Sequence, residues 1–301
     1  MKRRTFVKNT AASATFVSIG GLQLSCKKKN TTKITILHTN DVHSHIEPFG
    51  KNSGENANKG GVARRATMID KLRRENTNTL LLDAGDIFQG TPYFNYFGGE
   101  LEFKLMSMLK YDAATIGNHD FDNGIEGLYN MLPHAKFDFL SANYDFKNTI
   151  MNTHVKPYKI FNKSGIKIGV FGLGVELKGL VDKKAFKETN YMDPIEISQD
   201  MSRILKIEKG CDLVICLSHL GYDYKNSSKV SDLKLARSTK NIDLIIGGHT
   251  HTFLNKPTQE INVEGKTVLV NQVGCFGLYL GRIDFYLESQ NKFYKSEIIS
   301  I

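Results

Sequence analysis

DLIIGGHTHTF, residues 243–253, runs from branched apolar residues through two glycines to a pair of histidines one residue apart. A short apolar run closed by glycines reads as a buried strand and its exit. If the chain stays extended beyond Gly248, His249 and His251 project to one side about 6–7 Å apart. Both could then reach one ion, or each its own, and a polar turn holding two histidines is the plain alternative. Partners elsewhere in the chain decide between these readings.

Similar runs recur from Lys33 onward, at 33–39, 79–85, 112–118, 138–144, 166–173, 212–219, 243–248 and 267–273, and a last pair at 278–288 and 292–300 alternates like an antiparallel hairpin. Amphipathic helix patterns fall at 61–75, 98–110, 123–131 and 194–208. In the first of these Val62, Ala66, Ile69 and Leu72 share a side and the arginines take the other. Helices between the early strands argue for an α/β layered fold. The polar stretch 50–61 reads as a surface loop, and no linker divides the body.

Five of the strand exits are polar: HTNDVHSH after the first, DAGD after the second, GNHDFD after the third, SHLG after the sixth, and GGHTH. Seven of the nine histidines lie in these segments. Loops at strand carboxyl ends converge on the ligand crevice of an α/β sheet, so this concentration points to a metal site. Imidazole and carboxylate donors without a usable cysteine suit Zn, Mn or Fe. The candidates are Asp41, His43, Asp86, Asn118, His219, His249 and His251. Seven donors exceed the needs of one ion and fit two, about 3.5–4 Å apart, with a carboxylate shared. Asp86, after a strand and a glycine, is the expected bridge.

The ordered motifs ILHTNDVHSHIEP, GG-ARRATMI, DAGDIFQGTPYF, GNHDFD, SH and GGHTH resemble the calcineurin-like metallophosphoesterases, in their 5'-nucleotidase branch, over residues 33 to about 285. The resemblance implies a four-layer sandwich of two mixed β-sheets flanked by helices, with a dinuclear metal site at the strand ends. It implies that Asp41, His43, Asp86 and His251 hold one metal, and Asp86, Asn118, His219 and His249 the other. It further implies substrate contacts from Asn118 and His119. The catalytic pair that the resemblance implies is His119, stabilising the phosphoryl transition state, and Asp122, its carboxylate partner. The reaction implied is hydrolysis of a phosphate ester, most simply of a nucleotide, by metal-activated water. Two divalent ions (Mn, Zn or Fe) are the cofactors implied.

Other motif residues take blander readings: His38 as a strand residue, His45 as pocket rim, Asp120 as structural. Asn40 either caps the turn before Asp41 or supports the metal shell. Cys211 and Cys216 bracket an apolar run and read as core thiols.

The composition, 41% hydrophobic and 24% charged, is that of a globular protein. Of the net charge of +9, eight come from residues 1–33, which hold no acid, leaving +1 on the other 268 residues. A nucleic-acid groove is therefore not indicated. The basic start, KRRTFVK, resembles a twin-arginine export signal, and LQLSC, ending at Cys26, resembles a lipoprotein box. The expected organisation is an export signal at 1–26, a basic tether at 27–32 and a metallophosphoesterase domain at 33–301. Either Cys26 is acylated, which ties the protein to a membrane, or cleavage nearby releases it. Both readings place it outside the cytoplasm of a bacterium, in the periplasm or at the outer membrane.

Secreted 5'-nucleotidases of the branch usually carry a second domain that stacks the nucleobase. The 301 residues end soon after the final hairpin, so the expectation is a catalytic half completed by a separately encoded specificity protein. The alternatives are a broad-specificity phosphoesterase, a thiosulfonate-ester hydrolase of the same branch, or a non-catalytic metal-binding lipoprotein subunit.

Overall fold

In the computed structural model, which describes residues 31–225, 228–288 and 291–301, the apolar runs become two six-stranded sheets. The first has the order β14-β13-β1-β2-β3-β4. Its strands are β1 (Thr32–Thr39), β2 (Thr79–Asp83), β3 (Ala113–Ala114), β4 (Asp138–Phe139), β13 (Tyr279–Leu287) and β14 (Lys292–Ser300). Strands β1 to β4 run parallel, and the hairpin β13–β14 joins antiparallel to β1, with His38 opposite Gly281.

The second sheet has the order β11-β12-β10-β9-β7-β6. It comprises β6 (Tyr158–Lys163), β7 (Ile166–Leu173), β9 (Leu213–Ser218), β10 (Leu244–Gly247), β11 (Thr258–Ile261) and β12 (Thr267–Asn271). Its middle four strands are parallel and its two edges antiparallel. A separate pair joins β5 (Tyr144–Asp145) to β8 (Asn190–Tyr191).

Both faces of the central strands are covered, which is why they read as nearly unbroken apolar runs rather than alternating ones. Ile34, Ile36, Leu80 and Leu82 turn inward onto Ile168, Val170, Ile215 and Ile246 of the other sheet. The opposite side chains, Leu37 and Leu81, pack with Ile69, Leu72, Phe103 and Met106 of the helices Val62–Glu75 and Glu100–Met108. Val214, Cys216 and Ile245 do the same on the far side with Leu205, Leu235 and Ala236. The four layers are thus helix, sheet, sheet, helix. Burying one such aliphatic side chain is worth about 1.5–3 kcal/mol, and the inter-sheet layer holds most of its residues at 0% exposure.

Several expectations differ in detail. The third strand pairs only at Ala113–Ala114, because the chain then bends so that Gly117 N–H meets the Asp120 carboxylate at 2.8 Å. The run 138–144 splits between two sheets. Strands β6 and β11, edge strands with no strongly apolar face, escaped the pattern. The helix expected over 194–208 is α-helical at Pro194–Arg203 and ends as a π turn at Ile204–Glu208. Not all arginines of the first helix face solvent: Arg65 is buried. Cys211 and Cys216 are buried free thiols.

The segment resembling an export signal, with Cys26, lies outside the described residues. Among the described residues no helix is long and apolar enough to cross a membrane.

Candidate metal centre

The parallel strands of both sheets deliver their carboxyl ends to one place. Asp41 follows β1, Asp86 follows β2, Asn118 follows β3, His219 follows β9, and His249 and His251 follow β10. Two glycines permit this approach. A Cβ on Gly117 would sit 2.1 Å from Asp86 Oδ1, and one on Gly248 would lie within 2.8 Å of both the Ala84 carbonyl and His219 Nδ1. The ends of the sheets are then stitched by His249 N–H, which donates to both oxygens of Asp41 at 2.9 and 3.1 Å.

Six of the expected ligands fall into two groups whose donor atoms lie within 4.8 Å of one another: Asp41, His43 and His251, and Asp86, His219 and His249. Asp86 faces both, its Oδ2 lying 3.1 Å from His219 Nε2 and 3.7 Å from His43 Nε2. His43 Nε2 and His251 Nε2 stand 3.0 Å apart. The seventh, Asn118, is buried, with its Oδ1 unpartnered among the described residues.

The segment after Gly248 does not stay extended. His249 and His251 have φ of 72° and 52°, and Asp41, His43 and Asp86 also lie in the left-handed region. Five of the seven expected ligands therefore hold a conformation that costs non-glycine residues about 1–3 kcal/mol each. Such strain persists only where surrounding bonds over-determine it, and here they do. Asp120, itself fully buried, accepts the backbone N–H groups of Asp86, Ile87, Phe88 and Gly117. Gln272 Oε1 accepts Thr252 N–H at 2.6 Å and the Thr250 hydroxyl at 3.1 Å. Asn40 donates to Asp41 Oδ2 and to the Gly274 carbonyl, both at 2.6 Å, and accepts Val273 N–H, so it supports the shell around Asp41.

Imidazole tautomers are set the same way. His43 Nδ1 lies 3.2 Å from the Phe88 carbonyl and His219 Nδ1 2.7 Å from the Ala84 carbonyl. A carbonyl only accepts, so Nδ1 carries the hydrogen and Nε2 faces the centre. Burial lowers His43 and His249 to about 4, keeping them neutral and able to ligate. Burial would also lower His219, but the charge and proximity of Asp86 outweigh it and raise it to about 10. Burial raises Asp41 to about 8 against the pull of His219, with Asp86 adding to the rise. Asp86 goes below the ordinary carboxylate range: burial opposes this, and His219 and then His43 overcome it.

His119 stands at the mouth, partly exposed, edge-on to His43 with ring centroids 5.2 Å apart. Its N–H donates to Asp86 Oδ1 at 2.8 Å, and its Nδ1 lies 3.0 Å from Asp122 Oδ2. That hydrogen bond, against partial burial and helped by the charge of Asp86, raises the His119 pKa above its usual 6.5. His45 stacks on Phe49 and packs against Phe276 at the rim, while His38 is buried in β1 against Asn271. Sequence reasoning missed Gln272; two polar residues, Asn271 and Gln272, at the end of an apolar strand were the available signal.

The site fits a pair of divalent cations. Asn118 Oδ1 and His219 Nε2 are buried without a hydrogen-bond partner among the described residues, and His219 Nε2 approaches Asp86 without hydrogen-bond alignment. The donors are all nitrogen and oxygen, and the buried carboxyls of Asp41 and Asp86 call for positive charge.

The chain resembles known proteins along most of its length. The venom 5'-nucleotidase of Crotalus adamanteus is 38% identical over 285 residues, covering 88% of this chain and 47% of that protein. The structure of the 5'-nucleotidase precursor of Thermus thermophilus superposes with a TM-score of 0.81 at 34% identity, over 90% of this chain and 55% of that one. That of the calcineurin-like phosphoesterase YfkN from Bacillus subtilis gives 0.74 at 30% identity, over 90% of this chain and 91% of that one. The chain spans about half the length of the curated 5'-nucleotidases it matches. Residues 34–253 match the family described as calcineurin-like phosphoesterase, and the chain belongs to that family.

Proposed function

We propose that this chain hydrolyses phosphate esters, nucleotides foremost, at a centre of two divalent ions held by Asp41, His43, Asp86, Asn118, His219, His249 and His251. The observation that carries the reading is that Asp86, a donor of one group beside His219, also brings its Oδ2 within 3.7 Å of His43 Nε2 in the other. A carboxylate there can serve both ions, and its charge offsets their repulsion. The chemistry that such ions supply is Lewis acidity toward phosphoryl oxygens and toward water.

The chain's own residues do the rest. His43 and His219, fixed through their Nδ1 hydrogens, aim Nε2 at the centre without rotation, and His219 would give up its Nε2 proton to an ion held there. Asn118 would contribute a neutral oxygen, which leaves an ion held there electrophilic. His119, kept protonated by Asp122, donates to a phosphoryl oxygen as charge develops in the transition state. Its place at the mouth, tied by its backbone to Asp86, puts it on the open side where an ester enters.

The nucleotide preference is supported by relatives named 5'-nucleotidases. Export is supported by the paired arginines and the stretch ending at Cys26. The test is a screen of nucleoside monophosphates, cyclic nucleotides and simple phosphate esters with wild type and His119→Ala. We expect nucleotide turnover that falls about 10²–10³-fold in the variant. Turnover that survives both His119→Ala and metal stripping would refute the proposal.

A further inference from the structure

Beneath the loop that carries Asp41 and His43 lies a small cavity of about 20 Å³, lined by Ser44, Arg65, Asp83, Glu102 and Tyr111 among apolar neighbours. Three of these side chains bear a carboxyl or guanidinium group: Asp83, at 0% exposure, has both carboxylate oxygens bonded, to the Thr39 hydroxyl and the Gly85 N–H, and Arg65 and Glu102 are 4% exposed. Arg65 comes from the helix Val62–Glu75 and Glu102 from the helix Glu100–Met108. Arg65 Nε and Nη1 and Glu102 Oε2 are buried with no hydrogen-bond partner among the described residues. Buried opposite charges that line one cavity without touching are costly unless something joins them. A water needs about 10–15 Å³ of such space and two to four polar partners, and this cavity supplies both.

We propose that the cavity binds a single ordered water, which accepts from the Arg65 guanidinium and donates to Glu102 Oε2. The two charges then act as one bridged pair. Its other end reaches the metal-binding loop, because Glu102 Oε1 accepts the Ser44 hydroxyl. Ser44 follows His43 directly, has a φ of 57°, and accepts the Thr91 hydroxyl at its carbonyl at 2.9 Å. Glu102 is thus a positioning residue for His43, acting through Ser44.

The water and the pairing stand apart from any metal; only the positioning role rests on the reading of Asp41 and His43 as ligands. A crystal structure that resolves ordered water is expected to show one peak within hydrogen-bond distance of Arg65 and Glu102. No peak, or a direct Arg65–Glu102 contact that closes the cavity, would overturn the proposal. In solution, Arg65→Met and Glu102→Gln should each lower the urea midpoint, and the double variant should lose less than the two losses combined. Additive losses would contradict the bridge. Positioning is read from metal release to a chelator. Glu102→Leu should release it at least several-fold faster than wild type, and Glu102→Gln, which keeps an acceptor for Ser44, should stay close to wild type. Wild-type release from Glu102→Leu would remove the positioning role while leaving the metal reading intact.

Discussion

The carboxylate of Asp120 holds the backbone of Asp86: it accepts the Asp86 N–H at 3.2 Å, and those of Ile87, Phe88 and Gly117 at 2.8–3.1 Å. Asparagine there would offer one acceptor oxygen and bring its own N–H₂ against donors. Asp120→Asn should cost about 2–4 kcal/mol in urea unfolding, since buried N–H groups lose their partners, and should weaken metal retention. Unchanged stability would show that the four bonds are not what fixes the Asp86 turn.

Gln272 plays the matching part for the other sheet. Gln272→Ala removes the acceptor of Thr252 N–H and of the Thr250 hydroxyl, which flank His251. Metal affinity should drop about 10–100-fold, as when supporting partners of ligands are lost elsewhere, in a chelator titration. An unaltered titration would mean that the strained backbone at His249 and His251 is held by something else.

The pH profile of ester hydrolysis should carry a limb from His119. Its pKa is raised above 6.5 chiefly by the hydrogen bond to Asp122, and the protonated ring is the donor. Activity is therefore present below the raised pKa and lost as pH climbs through it. Asp122→Asn should move that loss to lower pH. A limb at the wild-type position in this variant would assign the titration to another group.

His38 gives a stability prediction of the opposite sense. Burial lowers its pKa from 6.5 to about 3, so between those values the unfolded chain binds a proton that the folded chain refuses. Its contribution is complete above pH 6.5 and is lost as pH falls toward 3. His38→Leu should flatten the pH dependence of urea stability across that window, whatever its uniform cost from leaving Asn271 without a partner. An unchanged slope would place the titration elsewhere.

The layered fold and the residues that meet at its centre were legible because each motif is contiguous and sits at the exit of an apolar run. The seven donors are named by residue type, and two sheets with parallel centres bring six of them into two groups. What escaped were groups that act at a distance along the chain. Gln272 holds residues 250 and 252; the polar pair at its strand end marks the position but not the distant loop it holds. Arg65 sits three residues after Val62 and four before Ile69, on the apolar side of its helix, and is buried there; its charge, not its spacing, concealed it. The bend after Gly248 was invisible for another reason: left-handed backbone at His249 and His251 is imposed by Asp41 and Gln272, not by the preference of histidine.

Metal content of the protein as isolated tests the central claim most directly. Two equivalents of divalent metal per chain are expected in wild type, with loss of at least one in Asp86→Asn, because that carboxylate faces both groups of donors. A fully active wild type holding one equivalent or none would contradict the account.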